Sequence, residues 1–395
     1  MEIRGIKSGF AFTRNPIVLR SGADEWDDIV IENVHTSGTF IIKIDGSQVY
    51  KGRFFPPLEL DISEIVDAAV SFFKEPTGAE PLELLYEVSD GMPPLVEVGA
   101  EFDGMRRNCD FSAVPGGVSK QNYRRMLAGE TDIFETRFLN PENNFFLTTR
   151  TAGWRIVMKE TEIFPLYMLY FFKRSEKLSV VETTGGNSLT FLNLDHGVYA
   201  VNIDQLRRRF MEEHNVIPSV FDIYTDDRFS CRIVLEQSDI CKERYRLKFR
   251  NSLGVFEIIE LTGELSITPE YEEGDEVQFK RFDSVTGDFN KERERMECAQ
   301  TITIETGVKR PDEIRFLMDM LGSEEVYLLD LGSSPVRVIP SVKGMTYKPR
   351  PEEPQKFTLS LAVAESETNI MQDIIDGTEG RRPRVFTKQF SKQFN

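Results

Sequence analysis

Histidine, tryptophan and paired cysteine are what this 395-residue sequence has least of: three His, two Trp and four Cys. Histidine is the usual acid–base group near neutral pH and the commonest metal ligand. Here His35, His196 and His214 stand far apart, one in a loop, one between strands and one closing a helix. A zinc site needs three or four ligands at short spacing, so no metal ligand is assigned. Cys109, Cys231, Cys241 and Cys298 have no CxxC spacing and read as free thiols of a reducing compartment. Long apolar runs are missing too. The longest is Phe164–Phe172, interrupted by Pro165, against the ~20 residues of a spanning helix, so membrane insertion is not expected. The opening MEIRGIKSGFAFTRNP has neither the apolar stretch nor the small-residue cleavage site of a signal peptide. Synthesis in the cytoplasm is the expectation.

Positive charge is also in deficit, with 48 Lys and Arg against 65 Asp and Glu and a net charge of −17. Binding a phosphate backbone draws on clustered bases, so nucleic acid is not expected as a partner. The motifs of common catalysis are absent: no P-loop, GxGxxG, GxSxG or HExxH. Gly185-Gly186 lies between strand-like runs without a following Lys-Ser/Thr and reads as a hairpin turn. The acidic run Glu270–Glu276 lacks the register of an EF-hand loop and reads as a solvated loop between strands. No catalytic residue and no cofactor is assigned, and the chain reads as non-enzymatic. Glycan cleavage by a pair of carboxylates stays open, because the two acids of such a site can come from anywhere in a fold.

What is abundant is phenylalanine, 30 residues, in a chain that is 40% hydrophobic and 29% charged. The pattern predicts a mainly β fold with minor α (α+β), multi-domain, built of antiparallel β-sandwich or barrel-like domains with a few short packed helices. Residues 1–100 read as an N-terminal β domain. Its signals are strands at 28–34 and 39–44, a hairpin through Asp45-Gly46, which suits the positive φ of a tight turn, and a strand from Leu95. A helix at 62–73 is expected there, capped by Asp61, with Ile65, Ala69 and Phe72 on one face. Residues 101–228 read as a mixed α/β middle domain. It should hold a short helix at 119–127, strands at 145–149, 154–159, 178–183 and 188–194, and a helix at 203–214. Asn202 is that helix's N-cap, and Ile203, Leu206, Phe210 and Met211 form its apolar face. Residues 229–370 read as a C-terminal β domain with one packed helix at 311–321. Pro311 opens that helix, Ile314, Leu317, Met318 and Leu321 form its stripe, and Gly322 stops it. Strands are expected at 244–250, 255–261, 325–329, 336–339 and 357–362.

Two basic features are candidate subunit interfaces. In Arg244–Arg250 the apolar Tyr245, Leu247 and Phe249 alternate with Arg244, Arg246, Lys248 and Arg250, which places the bases on one face. The terminal segment 371–395 is a basic, Phe-containing arm. Arg381, Arg382 and Arg384 precede Phe386, Phe390 and Phe394, whose four-residue spacing stacks them if helical. Such an arm reads as a segment that docks on another subunit.

Three phrases carry a family resemblance: Asn144-Phe145-Phe146-Leu147-Thr148-Thr149-Arg150, Lys159-Glu160-Thr161-Glu162-Ile163-Phe164-Pro165-Leu166, and Arg250-Asn251-Ser252-Leu253-Gly254-Val255-Phe256-Glu257. Together with the order hairpin, helix 311–321 and strands near 326–329 and 335–339, they resemble tail-associated structural proteins, of tail-tip or baseplate type, of Bacteroidetes phages and prophages. The resemblance implies a virion role: a homo-oligomeric ring or adaptor with itself and other tail proteins as partners, located in the virion tail. It implies no catalytic residues. Acidic and basic patches, such as Glu270–Glu276 and Arg244–Arg250 of neighbouring subunits, would help set register. The rival reading is a surface adhesin or carbohydrate-binding β-sandwich protein, which predicts a groove lined with Trp or Tyr. A host-surface glycan is a further partner under either.

Overall fold

The computed structural model describes residues 2–20, 37–55, 59–71, 73, 85–87, 93–102, 105–140, 146–152, 154–171, 177–191, 194–238, 241, 243–271, 279–292, 298–331, 334–342, 346–348 and 355–365. The chain is mainly β, with several antiparallel sheets and few helices. It divides into two compact units, Met1–Ser238 with Arg250–Glu257, and Asp239–Phe249 with Ile258–Asn395. The expected break at residue 100 falls inside a hairpin, since Leu95–Phe102 pairs with Met105–Val114 along its whole length. The expected break at 229 falls inside the strand Arg228–Glu236. Strand pairing carries the chain across both points.

The first unit begins with a five-stranded sheet ordered Phe10–Phe12, Met105–Val114, Leu95–Phe102, Gly38–Ile44 and Ser47–Phe54. Asp45 and Gly46 adopt φ of 47° and 78°, the left-handed pair that a two-residue hairpin requires. Alternation along Gly38–Ile44 sends Phe40, Ile42 and Ile44 inward. There they meet Val96, Val98 and Phe111, and the helix α1 (Ser63–Ala69). That helix is shorter than expected and buries another stripe. Ile62, Val66 and Val70 are inside while Ala69 is exposed, and Asp61 accepts from the Ser63 amide at 2.9 Å without being the N-cap residue. The expected strand at 28–34 and Phe72 lie outside the described residues.

A second core in this unit lies under a six-stranded sheet ordered Thr151–Ala152, Arg155–Lys159, Arg228–Glu236, Val220–Thr225, Leu178–Glu182 and Ser188–Phe191. The expected short helix at 119–127 forms as α2 (Lys120–Leu127), with Ser119 as its N-cap, and α3 (Ile203–His214) begins at Asn202, whose side chain accepts from the Gln205 amide at 3.2 Å. Helix α3 ends where Asn215 turns left-handed at φ 56°. It buries Ile203, Leu206 and Phe210 against this sheet, with the Phe210 and Phe221 rings 5.7 Å apart. Each such side chain contributes about 1.5–3 kcal/mol. Met211 is exposed, outside the buried stripe. Leu166–Tyr170, the centre of the longest apolar run, is buried at all five positions and pairs with Gly197–Val201. The expected strand at 145–149 is reduced to one bridge, Phe146 with Met168. Beyond it the backbone turns into polar contacts described below.

In the second unit a seven-stranded sheet runs Phe256–Thr262, Arg244–Arg250, Val326–Leu328, Val336–Ser341, Thr358–Val363, Cys298–Glu305, Leu265–Tyr271. Its two end strands are consecutive in sequence. Six strand spacings of about 4.8 Å would set them about 29 Å apart in a flat sheet, and the chain from Thr262 to Leu265 spans at most about 11 Å. The sheet therefore curls back on itself in barrel-like fashion, and the Thr262 amide reaches the Thr306 carbonyl at 3.5 Å. The helix α4 (Pro311–Leu321) packs on this core with Gly322 as its C-cap. Its buried face is Ile314, Phe316, Leu317 and Met320, while Met318 of the expected stripe is exposed. Phe316 meets Phe249 edge-on at 5.0 Å, which sets the helix's rotation. All four cysteines are free. No helix among the described residues is long and apolar enough to cross a membrane.

Candidate functional site

Charged side chains are rarely buried unless paired, so a cluster of them inside unit 1 marks a point where the fold is specified tightly. Arg150 and Glu162 keep 7% and 4% of their side-chain surface, and Glu257 keeps 6%. Arg150 Nη1 lies 2.7 Å from Glu162 Oε2, and its Nε lies 3.5 Å from Glu257 Oε1. The Thr148 hydroxyl donates to Glu257 Oε1 at 2.6 Å. The Asn251 amide donates to Glu257 Oε2 at 2.6 Å and to the Leu147 carbonyl at 3.0 Å. Its own oxygen accepts from the Leu253 and Val255 amides at 3.0 and 3.2 Å, closing the turn 250–257. Arg137 completes the group through a 2.6 Å bond to the Thr148 carbonyl. Burial pulls its guanidinium below the ordinary value, and the Glu257 carboxylate works against that pull.

Local sequence explains each placement. Glu162 stands three residues after Lys159, where its carboxylate accepts the Lys159 amide at 3.1 Å and caps a single 3-10 turn. Gly116 and Gly254 let two backbones touch. Gly116 has φ +102°, and a Cβ there would strike the Ser252 carbonyl; Gly254 has φ +83°, and a Cβ would sit 2.7 Å from the Pro115 carbonyl. The Gly117 amide then bonds the Ser252 carbonyl at 2.7 Å. Two guanidiniums meet two carboxylates at this junction. With its carboxylates committed to buried donors, it acts as a clamp on the turn 250–257.

The junction gathers three segments of the chain: Thr148 and Arg150 come from 144–150, Lys159 and Glu162 from 159–166, Asn251 and Glu257 from 250–257. Nothing in one segment names the others, and the one local signal is the Lys-x-x-Glu spacing of the cap.

The basic strand Arg244–Arg250 forms with the expected alternation, Leu247 and Phe249 being fully buried. Each of its four bases has a partner in the same chain. Arg244 Nε lies 3.0 Å from Glu260, a carboxylate with no exposed surface. Arg246 grips Asp330 at 2.7 and 3.0 Å. Lys248 Nζ lies 5.1 Å from the Tyr327 ring centroid, and the Arg250 guanidinium 4.2 Å from that of Phe256. A neighbour's acids would have to compete with these contacts. Arg381, Arg382, Arg384, Phe386, Phe390 and Phe394 lie outside the described residues, as do 272–276 of the acidic run. His196 stands 5.7 Å from the Phe171 ring and His214 5.9 Å from that of Phe210. Among the described residues no group of three or more His, Cys, Asp or Glu is placed to hold a metal ion. Gly185-Gly186 forms the expected turn, Gly186 at φ 71°, and the Gly185 amide donates to Glu182 at 2.7 Å.

Compared with protein-family models, with curated proteins and with solved structures, the chain matches none.

Proposed function

We propose that the chain is a non-enzymatic structural component of a phage tail tip or baseplate, working as a homo-oligomeric ring or ring adaptor in virion assembly. The observation that carries this reading is the convergence of the three resembling phrases on one buried junction. Two neighbouring segments, 144–150 and 159–166, and a third at 250–257 carry the resemblance and share a place in the fold. The likeness thus attaches to one packed piece of structure. A sheet-end strand adds support: Ser47–Phe54 closes one end of the five-stranded sheet and exposes most of its side chains, the kind of surface through which β proteins recruit neighbours. Closed rings use head-to-tail interfaces repeated about an axis, and such a strand suits that geometry.

The test is the mass of the purified full chain in solution, by light scattering across a concentration series, alone and mixed with the tail proteins of the same phage. A discrete multiple of the chain mass, with a closed ring on imaging, supports the proposal. A strict monomer under both conditions overturns it. A chain ending before Arg381 is expected to fold and to assemble more weakly.

A further inference from the structure

We propose that the outward face of the six-stranded sheet in the first unit binds a singly acidic glycan. Trp154 serves as the stacking platform and Arg155 as the partner of the sugar carboxylate. This rests on the sheet itself and not on the assembly reading.

Period-two alternation assigns the faces. Phe221, Ile223, Cys231 and Ile233 belong to the core, so Asp222, Tyr224 and Arg232 face away from it. The register pairs Asp222 with Arg232 and, past an irregularity between Ile223 and Tyr224, Tyr224 with Phe229. The irregularity brings Phe229 to the outer side. Its ring lies edge-on to Tyr224 at 5.8 Å and edge-on to Trp154 at 5.8 Å. Trp154 is 53% exposed and Phe229 37%. Exposed aromatics gathered in one patch mark an interaction site more than scattered ones do.

The polar part is equally ordered. Arg232 holds Asp222 through two bonds, 2.6 Å from Nε and 2.7 Å from Nη2, a bidentate fork that fixes the guanidinium. The same guanidinium lies 5.7 Å from the Trp154 ring centroid, which fixes the indole. Arg155 is in parallel register with Arg232 on the neighbouring strand. With Ile156 buried, Arg155 points outward; it is exposed and has no side-chain partner among the described residues. Asp222 is matched by Arg232, so the guanidinium of Arg155 is left over on this face, on a chain of net charge −17.

A pyranose carrying one carboxylate fits this arrangement. The C–H face of the sugar lies on the negative face of the indole, its carboxylate takes the free fork of Arg155, and hydroxyls meet the Asp222–Arg232 pair. A neutral sugar leaves Arg155 unused. A polyphosphate would pass Asp226 and Asp227, exposed at the adjoining hairpin tip.

The experiment titrates the full chain with 3′-sialyllactose and with a glucuronate-terminated disaccharide, and with lactose and cellobiose as their neutral counterparts. Tryptophan fluorescence and calorimetry report binding. At least one acidic probe should bind, ten times more tightly or better than its neutral counterpart. Trp154→Ala should abolish both binding and the fluorescence change. Arg155→Gln should bring the acidic and neutral affinities together, and Arg155→Lys should retain part of the preference. Both positions are exposed, so the variants should melt with the parent chain. Failure of both acidic probes to bind at up to about 10 mM, equal binding of acid and neutral sugar, or unchanged binding by Trp154→Ala would each overturn the proposal. A change in the chain's solution mass on Trp154→Ala would assign the face to a second copy instead and overturn it as well.

Discussion

The buried junction makes a quantitative demand on Glu257. Its carboxylate receives the Thr148 hydroxyl and the Asn251 amide, both at 2.6 Å, and faces Arg150 Nε at 3.5 Å. Glu257→Gln keeps the shape and one acceptor oxygen. It also removes a charge and turns an NH2 donor toward groups that are themselves donors. Arg150 then faces Glu162 alone, and Arg137 loses the carboxylate that works against its burial. Removing one partner of a buried pair costs about 3–5 kcal/mol, because the remaining charge stays out of water. In a unit of this size each kcal/mol lowers the melting temperature by about 2–4 °C, so the expected fall is about 6–20 °C.

Denaturant titration of the full chain reads the global cost, and amide exchange reads the local one. The Leu253 and Val255 amides donate to Asn251, which Glu257 holds in place, so both should exchange faster in the variant. Combining Glu257→Gln with Arg150→Met removes charge in pairs. The double variant should cost less than the two single costs together, by about 0.5–3 kcal/mol. A single-variant loss below about 1 kcal/mol, with exchange at 253 and 255 unchanged, would refute the claim that this junction clamps the turn.

Glu182 supplies a pH test. Burial alone would raise its carboxyl, but bonds from the Gly185 and Thr184 amides and from the Thr184 and Asn187 side chains outweigh burial and hold it below the ordinary value of 4.5. A group depressed on folding contributes stability that is present above its unfolded value and lost as pH falls through the folded one. Glu182→Gln should therefore be less stable than the parent near pH 7, and the gap should narrow below about pH 4.5 in melts across pH. The two arginine pairs of the basic strand separate by burial. Arg246→Ala, in a pair 40% and 27% exposed, should cost about 0–1 kcal/mol. Arg244→Ala, which leaves the buried Glu260 carboxylate without its guanidinium, should approach about 3 kcal/mol in the same denaturant assay.

Local signals were legible wherever one residue settles the outcome. Asn202 caps α3, and Asp45-Gly46 turns a hairpin whose first strand, Gly38–Ile44, alternates; each depends on neighbours a few positions away. The rotation of α4 was not legible, because Phe316 and Met318 both continue an apolar pattern, and only the Phe249 ring across the core selects the first. Pairing of Phe10–Phe12 with Met105–Val114 is parallel, with Phe10 opposite Ser112, and nothing in either segment names the other. The junction was hidden for a related reason. Arg150, Glu162 and Glu257 look like solvated charges when read singly, and their burial follows only from being brought together. The basic strand shows the converse: its alternation was readable, while the acids and rings that occupy its bases came from Glu260, Tyr327 and Asp330.

This asymmetry bears on what short resembling phrases can report. A catalytic motif survives as a pattern because chemistry fixes residue types at close spacing. A structural protein has no such constraint, and its most demanding positions are those where a substitution strands a charge or closes off a backbone approach. Arg150, Glu162, Asn251, Gly254 and Glu257 are positions of that kind here, and they fall inside the phrases rather than in the longer apolar strands between them. An apolar core tolerates exchange of Leu for Met or Ile at small cost, so its sequence can drift while its volume is kept. Buried guanidiniums and carboxylates that face one another cannot drift one member at a time without costing several kcal/mol per step. The Glu257 and Arg150 cycle tests whether the junction constrains its members in this way: if both positions yield to substitution at little cost, singly and together, the buried charges do not hold the turn 250–257 in place.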